Sequence, residues 1–223
     1  MTLALRAAFA IGALWAAGCA AFGQTGEVPQ LRVRIYGNAA VSPQSLRFAE
    51  YESERMLSEI RIQLNWLDCL GAATLPACMS EGLPTDLMVR IERKAPPKTR
   101  VGEVAVTASE GNRPSAAFIF YDRVLAFSGT RTIPTAVLGR VMAHEISHIL
   151  LPREGHSGAG LMRERWKADD LQFGSPSCLG LPPRFVRLME QEALRRVEAA
   201  RIYRPGGDSQ REIARSARLK PVP

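Results

Sequence analysis

Apolar and polar residues alternate along "LRVRIYGNAA", with Leu31, Val33 and Ile35 set against Arg32, Arg34 and Tyr36. A period of two predicts a strand with one buried face. The period changes after Ser42, a plausible N-cap, and Pro43, which suits the first helical position. Leu46, Ala49, Met56, Leu57 and Ile60 then form an apolar helical stripe. "IQLNWLDC" and "TDLMVRIER" predict two further strands, the latter with Leu87, Val89 and Ile91 on one side, and "GEVAVTA" a short extended piece. "AAFIFYDRVLAF" is the most β-prone run in the chain. A helix is predicted from near Pro134 to Leu150 or Leu151, and another from about Arg184 to Arg201. The order of strand, helix, several strands and then helix predicts one compact α+β domain: a small twisted mixed sheet, a backing helix and the helix from near Pro134.

Composition narrows this picture. A chain of 223 residues, 46% hydrophobic, fills one domain but hardly two. Residues 1–23 carry one early Arg6, an apolar run and small residues, which reads as a secretory leader. The rival reading is lipid modification at Cys19 within "AAGC". Either way the mature chain, a domain over 28–203, is expected to be periplasmic or extracellular. In an oxidising compartment Cys69 and Cys78 are placed to close the loop "CLGAATLPAC", while Cys178 has no assigned partner. The formal charge is +7, yet eight basic and three acidic residues fall from Arg195 onward. The excess therefore sits at the C-terminal end, with residues 204–223 read as a basic, disordered tail, and the body is close to neutral. That argues against a nucleic-acid partner, which calls for basic residues gathered on a folded face.

The chemistry is concentrated in "HEISHILLPREGH", which holds all 3 histidines of the chain. Residues four apart share one face of a helix, so His144 and His148 can grip one metal together. Glu145, one position round, is placed to hold and deprotonate the water that zinc activates. Pro152 cannot continue a helix, and Gly155 gives the backbone freedom to reverse just before His156. A turn that delivers a third imidazole suits a site with three protein ligands and an open fourth position. By analogy with zincins whose third ligand is a downstream carboxylate, Glu164 and Asp169 are the alternatives to His156 as third ligand. Ser157, Gly158 and Gly160 read as turn-makers, and Trp166 as a packing residue.

"HEISH", a downstream histidine and "GLM" together resemble the metzincin clan of zinc endopeptidases, whose pattern is H-E-x-x-H-x-x-G-x-x-H followed by a turn methionine. The resemblance covers residues 130–165. It implies Zn2+ on His144, His148 and His156, Glu145 as general base, Met162 as the turn methionine, and a peptide or protein substrate. Three departures stand out: the interval between the second and third histidines is two residues longer, the glycine, Gly155, sits just before His156 rather than midway, and Met162 follows His156 after only six. The resemblance also implies a sheet-edge strand that pairs with extended substrate. "AAFIFYDRV" is the candidate, although its hydrophobicity equally fits a central strand. A zinc-stabilised binding protein without turnover is the alternative function.

Overall fold

Gln30–Gly37 forms β1, with Leu31, Val33 and Ile35 fully buried on one face, as the alternation demands. The computed structural model describes residues 27–71, 75–100, 102–110, 113–129, 132–151, 155–166 and 180–203. The leader over 1–23, Cys19, Asp169, Cys178 and the tail over 204–223 lie outside the described residues.

β2 (Gln63–Asp68) and β3 (Asp86–Glu92) pair in parallel on either side of β1. β5 (Arg113–Phe120) lies parallel to β3, and β4 (Ala105–Glu110) closes the sheet antiparallel to β5. The mixed five-stranded sheet thus runs β2-β1-β3-β5-β4. Leu87, Val89, Ala117 and Ile119 extend the buried face begun by β1, each with no exposed surface.

Helices cover that face. α1 (Pro43–Met56) starts where Ser42 Oγ accepts a hydrogen bond from Ser45 N at 3.1 Å, and buries Leu46, Ala49 and Met56. α4 (Pro134–Leu150) packs against α1, β4 and β5, and every residue from Ala136 to Ser147 is buried. A helix so enclosed must satisfy its own polar side chains. Arg140 does so through Glu52 of α1 at 3.0 Å, and Ser147 through the Ala143 carbonyl at 2.8 Å. Arg55 donates two further hydrogen bonds of 2.9 Å to Glu52. Burial alone would raise the Glu52 pKa, but the two guanidinium groups outweigh it and hold the carboxyl below the usual range. Gly139 lets the two helices approach closely, since a Cβ there would lie 2.4 Å from the Ala49 carbonyl oxygen.

Cys69 and Cys78 form a disulfide, tethering the short α2 (Pro76–Met79) to the end of β2. α5 (Pro183–Ile202) buries Phe185, Met189 and Ala193 against α4 and β1. "AAFIFYDRVLAF" is not one strand: the strand ends at Phe120 and α3 (Tyr121–Ser128) follows at once. Within α3, Val124 and Ser128 are buried while Leu125 and Phe127 face outward, a helical spacing that overrides β-propensity. Nor is β5 an edge. It lies between β3 and β4, so β4 forms that border of the sheet.

Candidate metal centre

Pro134 occupies the first turn of α4, where its missing amide hydrogen is harmless, and the helix runs to Leu150. Its last two turns carry His144, Glu145 and His148. The chain then returns past Gly155 so that His156, though exposed, meets the other two imidazoles. His148 Nε2 lies 3.1 Å from His144 Nε2 and 3.2 Å from His156 Nε2. One nitrogen from each of the three rings lies within 4.8 Å of the other two.

These separations bear on whether the rings suit a metal. Tetrahedral zinc with nitrogens at about 2.0–2.1 Å spaces its ligand atoms about 3.3 Å apart. His144 Nδ1 lies 2.8 Å from the Leu161 carbonyl oxygen, which can only accept, so Nδ1 carries the proton and Nε2 presents its lone pair. Burial, partly opposed by that hydrogen bond and reinforced by His156, lowers the His144 pKa to about 4. Burial, with His144 and His156 nearby, lowers His148 to about 3. Both rings are therefore neutral near pH 7, the state that ligates a cation. The residues present fit a zinc ion.

Glu145, on the same buried turn, is 5% exposed. Its Oε2 accepts a 2.6 Å hydrogen bond from Thr107 Oγ1 on β4. Burial raises its pKa to about 7, against the Thr107 hydrogen bond and with added repulsion from Glu103. A carboxyl that changes charge near neutrality is matched to moving a proton at that pH.

The segment after His156 builds a turn. Arg163 N donates to the Gly160 carbonyl at 3.1 Å, Ser157 N to the Met162 carbonyl at 2.7 Å, and Leu161 N to the Gly180 carbonyl at 3.3 Å. Gly160 has φ +75°, and a Cβ there would sit 2.0 Å from the Gly180 oxygen, so only glycine fits. Met162 is fully buried in the core from this turn, next to the residue whose carbonyl orients His144. Trp166 does more than pack: its Nε1 donates to the same Leu161 oxygen at 3.2 Å, and its ring stands edge-on to His144 at 5.4 Å between centroids. Glu164 is exposed and outside the group of converging residues. Sequence reading missed Thr107, because nothing local marks a threonine 38 residues from its partner.

No protein-family model matches the sequence, and comparison with the curated proteins gives no match. Among solved structures, the chain is similar to a zinc-dependent peptidase from Methanocorpusculum labreanum, with 13% identity over 62% of this chain and 91% of that one, at a TM-score of 0.44. It is also similar to the archaemetzincin of Methanopyrus kandleri, with 12% identity over 75% of this chain and 97% of that one, at a TM-score of 0.50. At such identity the second likeness is one of fold. With its mixed sheet, its covering helices and a histidine cluster able to hold a metal ion, this chain has a metzincin-like α+β architecture.

Proposed function

We infer that the protein is a secreted zinc metallopeptidase. The convergence of the His144, His148 and His156 ring nitrogens beside the buried Glu145 carries this reading. Those three imidazoles would hold Zn2+, which supplies a Lewis acid that polarises a carbonyl and acidifies water. Glu145 accepts the proton of the attacking water and passes it to the leaving amine. His144 is kept in the ligating tautomer by the Leu161 carbonyl, and the Gly160–Arg163 turn carrying Met162 supports that carbonyl. The substrate is an extended peptide that adds to the outer edge of β4. Export through the leader over 1–23 is in keeping with the Cys69–Cys78 disulfide.

The test is Glu145→Gln. The variant keeps one zinc per chain while cleavage of a mixed peptide library falls by about 10²- to 10⁴-fold, the usual contribution of a general base. Undiminished cleavage would remove Glu145 from the mechanism. A wild-type chain that binds zinc but cleaves nothing, with or without chelator, would favour the binding protein without turnover.

A further inference from the structure

We propose that Thr107 is the positioning residue that aims Glu145 and ties it to the strand on which the peptide lies, an inference that rests on the peptidase reading. Ala105 lies opposite Ile119 and Thr107 opposite Ala117, and Phe120 N donates to the Val104 carbonyl at 2.9 Å. In an antiparallel ladder, residues that exchange hydrogen bonds alternate with residues whose N–H and C=O point the other way. The bonded set therefore includes Val104 and Val106, and the backbone groups of Ala105 and Thr107 face the outer edge of the sheet. Among the described residues no strand lies beyond that edge.

The regular register ends between Ala108 and Ser109. Ala105 and Thr107 are then the two outward-facing positions of the regular ladder, and only Thr107 has a polar side chain. Alternation puts that side chain on the sheet face that carries α4, where Oγ1 meets Glu145 Oε2 at 2.6 Å. A buried carboxylate is costly to leave without a donor, and the described residues supply Glu145 with this one. The hydroxyl fixes one oxygen and leaves Oε1 for the reacting water. One residue thus meets the substrate backbone through its main chain and the general base through its side chain. Binding to the edge and aim of the base are set by a single register.

The side-chain and main-chain roles separate experimentally. Thr107→Val keeps shape and strand propensity but deletes the hydroxyl, Thr107→Ala deletes it without adding a methyl, and Thr107→Ser restores it. For peptide cleavage, Val and Ala lower kcat by about 10- to 100-fold, the usual effect of losing the group that orients an active residue, while KM stays within about threefold because the edge amides remain. Ser returns kcat to within about threefold of wild type. Crystal structures of the zinc-loaded wild type and Thr107→Val supply a readout besides activity: Glu145 holds one rotamer in the first and leaves it in the second. If both hydroxyl-deleting variants keep kcat, or raise only KM, or if Glu145 keeps its rotamer in Thr107→Val, the positioning role is overturned. If the wild type cleaves no peptide yet Glu145 moves in Thr107→Val, the peptidase reading fails and the positioning of Glu145 stands.

Discussion

Burial acts in opposite directions on neighbours in α4. It keeps His144 and His148 neutral by lowering their pKa values to about 4 and about 3, and it pushes Glu145 up to about 7. The Glu145 shift has a consequence for stability in the chelator-treated chain. Its folded pKa lies above its unfolded value of 4.5, so the folded state binds the extra proton between pH 4.5 and about 7. The stability tied to that proton is whole below pH 4.5 and lost as pH rises through 7. Glu145→Gln has nothing to lose. Measured by urea unfolding without metal, the variant should gain on wild type by on the order of 3 kcal/mol between pH 4.5 and 8. Added zinc should shrink the gain, because a nearby dication favours the carboxylate. A difference that does not change with pH would mean that Glu145 is not buried as described. The pairing of His144 and His148 was legible in the sequence, since residues four apart share one face of a helix, and His156 was legible as the remaining imidazole close by. The orienting contacts were not. Leu161 acts through a carbonyl and Thr107 from a distant strand, and neither leaves a local pattern.

At the scale of elements, α4 is held where it crosses α1. Gly139 sits against the Ala49 carbonyl and the Glu52 side chain, and the Arg140–Glu52 pair lies beside it, fully buried. On helix propensity alone, Gly139→Ala would stabilise α4 by about 1 kcal/mol. A Cβ 2.4 Å from a backbone oxygen and 2.7 Å from the Glu52 Cβ forces the helices apart instead. Overpacking costs typically about 1–3 kcal/mol, so the net effect should be destabilising, read as a lower urea midpoint at unchanged slope. A stabilised variant would contradict the close crossing. Element boundaries were legible where the chain marks them itself, as at Pro43, Pro134 and Pro183, each in the first turn of its helix. The passage from β5 into α3 was hidden because Phe120 and Tyr121 are equally at home in a strand. Only tertiary context turns the chain there, with the Asp122 carboxylate accepting a 3.1 Å hydrogen bond from Ala95 N.

At the scale of the molecule, the two borders of the sheet differ in character. β2 ends in the Cys69–Cys78 tether, whereas β4 carries the Thr107 contact to Glu145. The α+β class was legible from the order of elements, but which strand forms the border was not. Sheet order is settled by long-range pairing, and the hydrophobic run of β5 belongs to a strand flanked on both sides. Zinc chemistry at this site requires that three imidazoles share one cation. Zinc K-edge X-ray absorption on the protein purified without chelator tests this most directly. It should show one zinc per chain, with light-atom scatterers at about 2.0–2.1 Å and the multiple scattering of three imidazoles. A chain without stoichiometric zinc, or a zinc shell lacking the imidazole signature, would contradict it.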